Sequence, residues 1–191
     1  MKFDLPPTTE EHLITLLRKH ALLKGNFTLA SGEVTDTYLD VRRLSLTSEG
    51  ARLLGSLTVD FVTEHHPILD GYGGMSIGAD PLVTAACLMH LIRGLGTVDG
   101  VLVRKNPKPH GSHEWLLGGA NLVESSTVLL LEDVVTSGSS SLSAAKRLRD
   151  EGYNVKACLC VVDREAGAEE NMSKEGILLY SMTTLAQILG E

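Results

Sequence analysis

Residues 126–141 read STVLLLEDVVTSGSSS, and the rest of the chain is organised around them. Residues 128–131 form a continuous apolar run, which is typical of a strand buried on both faces of a parallel sheet. Two carboxylates, Glu132 and Asp133, follow directly. Because a buried strand does not accommodate two unpaired charges, we expect both acids at the C-terminal end of the strand, where they meet solvent.

A loop of small hydroxyl residues, 136–141, leads from the acids into a helix. Apolar residues recur at helical spacing as far as Leu148, and Gly152 stands where a C-terminal cap belongs. Backbone N–H groups, hydroxyls and the positive end of the helix dipole then converge, which favours a phosphate monoester as ligand. Gly138 would let the backbone turn tightly beside that ligand. Since the acids can accept hydrogen bonds from vicinal hydroxyls, the unit predicts a site for a sugar 5-phosphate.

The ordinary alternative is a strand-to-helix turn with serine caps and solvated acids. The chain contains neither GxxxxGK[ST] nor GxGxxG, so the sequence indicates neither a P-loop NTPase nor a GxGxxG dinucleotide-binding protein. The order of strand, acids, hydroxyl loop and helix favours the ligand site over the plain turn.

Composition narrows the class of protein. A chain of 191 residues, 43% hydrophobic and 21% charged, suits one α/β domain. Its net charge of −7 disfavours nucleic acid or an anionic membrane as partner. No apolar run reaches the roughly 20 residues of a membrane helix, and the N-terminus resembles no secretion signal, so we expect a cytoplasmic protein. The three cysteines, Cys87, Cys158 and Cys160, indicate neither a disulfide framework nor a metal site.

The order of elements predicts the sheet. We expect helices over residues 9–23, ended by Gly25, and over 48–65. Strands are predicted around residues 68–72, 100–104 and 155–163. Residues 106–119 read as a long loop and 164–176 as a polar turn. Strands alternating with helices predict a parallel sheet with helices on both faces and ligands at the carboxyl ends of the strands.

Residues 104–111, RKNPKPHG, place three cations and a histidine in one loop of an acidic chain. The ordinary interpretation is a solvated basic loop. Beside a phosphate site, the same loop would serve as a cationic lid over a polyphosphate leaving group. A metal held by His110 and His113 is a weaker alternative, because two ligands do not complete a site.

These motifs resemble a known family. The apolar strand, acid pair and T-x-G-[ST] loop resemble the phosphoribosyl-diphosphate (PRPP) motif of type I phosphoribosyltransferases, and RK-x-x-K-x-HG resembles the catalytic loop of the orotate phosphoribosyltransferase family. Three more segments resemble that family: 27–32 with Tyr38 and Asp40, 78–82, and 161–167. The resemblance spans residues 27–172. Ala30 and Ile77 depart from it, because many members carry lysine there.

The resemblance implies an α/β fold: a parallel-sheet type I phosphoribosyltransferase core with helices on both faces and a small N-terminal hood. Residues 1–191 would form one domain, with the hood over about 1–45 and the core over about 46–191. It implies transfer of phosphoribosyl from PRPP to orotate, with Mg²⁺ held mainly by PRPP and Asp133 as the one candidate protein ligand. It also implies a homodimer whose lid loop, 104–119, is shared across subunits.

The resemblance also assigns site residues. The predicted catalytic residues are Lys105, Lys108, His110 and Asp133. The predicted PRPP-binding residues are Arg104, Lys105, Lys108, His110, Glu132, Asp133, Val134, Val135, Thr136, Ser137, Gly138, Ser139 and Ser140. The predicted orotate-binding residues are Tyr38, Thr136 and Arg164. Two other functions stay open: a type I transferase for another base, and a non-catalytic regulator that senses PRPP.

Overall fold

The computed structural model describes residues 1–28, 34–66, 68–107 and 115–190. The strands are β1 (Leu22–Thr28), β2 (Val34–Leu39), β3 (Gly71–Met75), β4 (Asp99–Val103), β5 (Leu116–Gly118), β6 (Val128–Val135), β7 (Ala157–Asp163) and β8 (Leu178–Thr184). The helices are α1 (Pro7–Leu16), α2 (Arg42–Ser45), α3 (Ser48–His65), α4 (Asp80–Ile92), α5 (Ser139–Asp150), α6 (Ala168–Lys174) and α7 (Leu185–Leu189). A π-helical turn, Leu17–Ala21, continues α1.

The central sheet has six strands in the order β5-β4-β3-β6-β7-β8. The five strands from β4 to β8 in that order run parallel, and β5 pairs antiparallel with β4. The prediction of a mostly parallel α/β sheet is therefore confirmed.

Helices cover both faces of this sheet, and β6 shows why. Its side chains alternate between two apolar cores, with Leu129 and Leu131 in one and Val128 and Leu130 in the other. The first core contains side chains of α1, α3 and α4, and the second contains side chains of α5 and α6. A strand buried on both faces reads as the continuous apolar run seen in the sequence.

The N-terminal segment joins both the core and a small second sheet. Phe3, Leu13 and Leu17 are buried in the first core, and Lys2 forms a parallel bridge with Ser181 at the edge strand β8. Strands β1 and β2 form a separate antiparallel pair. The division into a hood over 1–45 and a core over 46–191 stays a prediction.

Several predicted boundaries were wrong. Gly25 lies inside β1 rather than at the end of a helix, because the π-helical turn closes the helix at Ala21. The supposed loop 106–119 contains β5, which is three residues long. The supposed polar turn 164–176 contains α6, whose inner face is made by Ala168 and Met172.

Strand β6 also runs further than predicted. It continues to Val135, so Glu132 and Asp133 lie within the strand and not at its end. In the part of the chain that the structure describes, no helix has the length and apolar character needed to span a membrane.

Candidate active site

The site lies where the order of the sheet reverses. From β3 the chain crosses to β4 on one side, and from β6 it crosses to β7 on the other, so a crevice opens above the carboxyl ends of β3 and β6. Open α/β sheets bind their ligands at this kind of switch point. The loop after β3 carries a cis peptide bond between Ser76 and Ile77, and Gly78 approaches Asp133.

Glu132 is a buried carboxyl group in β6. It is 7% exposed, and the hydroxyl of Ser141 donates a hydrogen bond of 2.8 Å to its Oε2. Burial raises the pKa of Glu132 to about 7, and the Ser141 hydrogen bond opposes that rise. Burial of a charged carboxyl group costs free energy. The hydrogen bond from Ser141 and the raised pKa, which favours the protonated form, both reduce that cost.

Asp133 lies beside Glu132, and the two carboxyl groups influence each other's pKa. Its Oδ1 accepts a 2.8 Å hydrogen bond from the N–H of Val134. Burial raises the pKa of Asp133, while that N–H and the positive charge of Arg42 act in the opposite direction. The pair therefore offers two carboxyl groups of different environment to a ligand above the sheet.

The hydroxyl loop has the geometry of an anion site. Gly138 has φ +79°, a left-handed conformation that favours glycine, and α5 begins directly after it. The first intrahelical bond runs from the N–H of Leu142 to the carbonyl of Gly138, so the N–H groups of residues 139–141 point out of the helix end. The side chains that flank these groups are exposed at Thr136, Ser137, Ser139 and Ser140.

Helix α6 supports this loop from behind. Nδ2 of Asn171 donates to the carbonyl of Ser137 at 3.0 Å, and a β-carbon on Gly138 would lie 3.0 Å from Cγ of Met172. Sequence reasoning missed Asn171, because residues 164–176 read as a polar turn. The spacing of Ala168 and Met172 was the available signal for the helix.

The two valines that follow the acid pair lie on different sides of β6. Val135 is 1% exposed and packs in the second core, so only its backbone is available to a ligand. Val134 lies on the other side of β6 and borders a small cavity.

That cavity brings together three residues distant in sequence. It has a volume of about 40 Å³, and Tyr38, Val134 and Arg164 line it together with Leu22, Thr37, Leu39 and Leu185. The backbone N–H of Arg164 donates to the carbonyl of Val135 at 2.9 Å, which fixes the start of the loop after β7 beside β6. Tyr38 and Arg164 were predicted to share a ligand, and they line one cavity. Thr136, predicted with them, does not line it.

The cationic loop is described only in part. The N–H of Arg104 donates to the carbonyl of Trp115 at 2.8 Å, and its Nε is buried without a hydrogen-bond partner among the described residues. Lys105 is exposed. The predicted residues Lys108 and His110 lie outside the described residues, as do His113 and Ala30.

Arg42 is a site residue that sequence reasoning missed. Its Nε lies 2.8 Å from Oδ1 of Asp40, and this contact lowers the pKa of Asp40. The same guanidinium acts on the carboxyl of Asp133. The segment TYLDVRR gave no sign of this role, because only folding brings Arg42 near Asp133.

The fold and the site together define an α/β protein with the geometry of an anion site at the switch point of a parallel sheet. The orotate phosphoribosyltransferase of Aquifex aeolicus is 38% identical over 182 residues, 94% of this chain and 97% of that protein. The enzyme of the same name from Rhodopirellula baltica is 38% identical over 188 residues, 95% of this chain and 92% of that protein. No model of a known protein family matches the chain.

Solved structures agree. A crystal structure of Mycobacterium tuberculosis orotate phosphoribosyltransferase has a TM-score of 0.80 at 32% identity, covering 94% of this chain and 98% of that one. Another structure of the same protein, in complex with PRPP, has a TM-score of 0.76 at 30% identity, covering 94% of this chain and 98% of that one. The chain belongs to the orotate phosphoribosyltransferase family.

Proposed function

We propose that this protein transfers the 5-phosphoribosyl group of PRPP to orotate, giving orotidine 5′-monophosphate and pyrophosphate, a step of pyrimidine nucleotide biosynthesis. The observation that carries the proposal is that three parts of the site lie next to one another at β6. They are the acid pair, the hydroxyl loop and the cavity beside Val134. Family membership supports the same reaction. Because its substrates are charged small molecules, we expect the reaction in the cytoplasm.

Each part of the site has a task in this reaction. The 5-phosphate would bind the N–H groups and hydroxyls at the start of α5, from Thr136 to Ser140 in the chain. Glu132 and Asp133 would accept hydrogen bonds from the ribose hydroxyls or face the positive charge that develops at the anomeric carbon. Such preorganised carboxylates stabilise a cationic transition state without further rearrangement.

The base would bind over the mouth of the small cavity beside Val134. The guanidinium of Arg164 can pair with the carboxylate of orotate, and the ring of Tyr38 lies at the same cavity. Orotate is already an anionic nucleophile, so the reaction needs no nucleophile from the protein. The protein's task is to hold the two substrates in line.

The cationic loop would neutralise the departing pyrophosphate. Arg104 and Lys105 stand at its start, and we assign Lys108 and His110 the same task from the family resemblance. The Lys108→Ala variant should lower kcat strongly and leave the melting temperature unchanged. Near-normal turnover would remove the loop from the mechanism.

The acid pair fits a magnesium ion that the substrate brings with it. The described residues contain no cluster of three or more His, Cys, Asp or Glu side chains able to form a complete protein cage. Mg²⁺ commonly binds one or two carboxylates together with substrate phosphates and water. Asp133 would supply the protein oxygen, and the bound ion would neutralise charge on the pyrophosphate.

We also propose a homodimer. Helix α4 and the turn after it expose four apolar side chains at helical spacing, Leu88, Leu91, Ile92 and Leu95. A second copy of the chain would cover this apolar face, in line with the homodimer that the family resemblance implies. Sedimentation should give a dimer for the wild type and a monomer for Leu91→Asp, whereas Lys146→Asp, on an exposed face of α5, should stay dimeric. Dimeric Leu91→Asp would place the interface elsewhere.

The reaction itself is tested by ultraviolet loss of orotate on mixing the protein with PRPP and Mg²⁺. Uracil, hypoxanthine and adenine are the control bases. We expect orotate to be consumed and the other bases to remain. Activity on another base alone would mean that the cavity beside Val134 recognises that base and not orotate. PRPP binding without turnover of any base would indicate a regulator.

A further inference from the structure

Ser141 differs from the other serines of the hydroxyl loop in the direction of its side chain. Ser139 and Ser140 are exposed, whereas Ser141 is 3% exposed. Its hydroxyl points beneath the loop to Oε2 of Glu132, at 2.8 Å. The hydroxyl of Ser141 is therefore no part of the proposed phosphate cradle, although Ser141 follows Ser140 directly in the sequence.

The surroundings of this hydrogen bond are apolar and tightly packed. Glu132 pairs across the sheet with Cys160 of β7. Cys158 and Cys160 belong to the second apolar core. In such surroundings a carboxyl group without a firm donor would turn toward solvent or toward another donor, because unpaired polar groups are strongly disfavoured inside a protein.

The hydrogen bond also connects two parts of the site. Ser141 belongs to the first turn of α5, whose N-terminus forms the hydroxyl loop, and Glu132 belongs to β6. One oxygen of Glu132, Oε2, is held from below by α5, so the direction of the other oxygen, Oε1, follows from the position of this helix.

We propose that Ser141 is a positioning residue, which holds Oε2 of Glu132 and thereby aims Oε1 at the ribose hydroxyls of PRPP. This inference rests on the proposed function. It couples the helix that would bind the 5-phosphate to the acid that would bind the ribose. The two ends of the sugar phosphate would then be recognised by one rigid unit, with Ser141 as the link.

The test compares Ser141→Ala with Ser141→Thr, which keeps the hydroxyl. Loss of one buried hydrogen bond changes an equilibrium by up to about tenfold, so Ser141→Ala should raise the KM for PRPP by up to about tenfold. The KM for orotate should change less than twofold, because neither Ser141 nor Glu132 lines the cavity beside Val134. Ser141→Thr should recover most of the loss. Ser143→Ala, on an exposed position of the same helix, is the matched control.

A second comparison separates positioning from general destabilisation. In a Glu132→Ala background, Ser141→Ala should cause no further rise in the concentration of PRPP needed for half-maximal binding, measured by calorimetry. The proposal would be overturned if Ser141→Ala weakened PRPP binding equally in the Glu132→Ala background. It would also be overturned if Ser141→Ala raised the KM values for PRPP and orotate equally. Failure of wild-type protein to consume orotate would instead contradict the proposed function, because the Ser141 variants are compared only with active wild type.

Discussion

The backbone of Gly78 lies against the carboxyl group of Asp133. A β-carbon built on Gly78 would lie 2.8 Å from Oδ1 of Asp133, the oxygen that accepts the hydrogen bond from Val134. The contact joins the loop after β3 to β6 at the switch point of the sheet. A Cβ at this position would displace the carboxyl group, because the side chain of Asp133 occupies the space beside Gly78.

The first prediction concerns this contact. Gly78→Ala should push the Asp133 carboxyl group away from the N–H of Val134 and raise the KM for PRPP by about tenfold, the equivalent of one hydrogen bond of about 1.4 kcal/mol. Steady-state kinetics with PRPP varied would measure the change. In an Asp133→Ala background the same substitution should leave the melting temperature almost unchanged, since the obstacle is gone. An unaltered KM in the single variant would contradict the argument.

The second prediction concerns the stability of the fold at different pH values. The folded-state pKa of Glu132, raised to about 7 by burial, lies above its unfolded value. The contribution of protonated Glu132 to the free energy of unfolding is therefore fully present below the pKa that Glu132 has in the unfolded chain. It is lost as the pH rises through about 7. Glu132→Gln keeps an acceptor for Ser141 and cannot ionise. We expect the melting temperature of Glu132→Gln to exceed that of wild type increasingly between pH 5 and pH 8.

The comparison of Glu132→Gln with wild type has a control variant and a result that would contradict it. Glu170→Gln, at an exposed ion pair with Lys174, should follow the wild-type pH profile. A constant difference between Glu132→Gln and wild type across the pH range would show that Glu132 is ionised throughout. The same substitution should weaken PRPP binding, so a group that destabilises the fold would be retained for its function.

The sequence predicted the central strands well and the small elements poorly. β6 and β7 are buried on both faces, so their apolar runs leave little choice of structure. β5 is held by backbone pairing with β4, and a three-residue strand is too short to show a period. Helix α6 buries only Ala168 and Met172, so its charged residues dominated the pattern.

The site was predictable where it is contiguous in the chain. Residues 132–140 carry a motif with a fixed order, and the geometry of Gly138 follows from that order. Arg42 and Asn171 could not be found in the same way, because they reach the site from α2 and α6 only after folding. Ser141 is the most instructive case. Five small hydroxyl residues between 136 and 141 look alike in sequence, and the start of the helix decides which hydroxyl turns inward.

The third prediction concerns Arg42, which pairs with Asp40 and acts on Asp133. Arg42→Gln removes the positive charge that favours the ionised form of Asp133, so the KM for PRPP should rise several-fold. The melting temperature should change little, since a partly exposed ion pair contributes only about 0.5 kcal/mol. Arg43→Gln is the matched control, because Arg43 is exposed on the next position of the same helix. Equal effects in the two variants would assign the change to net charge alone.

The fourth prediction uses the chain's one tryptophan. The guanidinium carbon of Arg147, on α5, lies 3.7 Å from the centre of the Trp115 ring, and the carbonyl of Trp115 accepts the hydrogen bond from Arg104. Arg147→Gln removes the cover of the indole, so its fluorescence emission should move to longer wavelength. The free energy of unfolding should fall by about 0.5–1 kcal/mol, the contribution of an exposed cation–π contact. Urea unfolding followed by this fluorescence measures both quantities. Lys146→Gln, an exposed neighbour on α5, should leave both unchanged, and an unaltered spectrum in Arg147→Gln would show that the contact does not persist in solution.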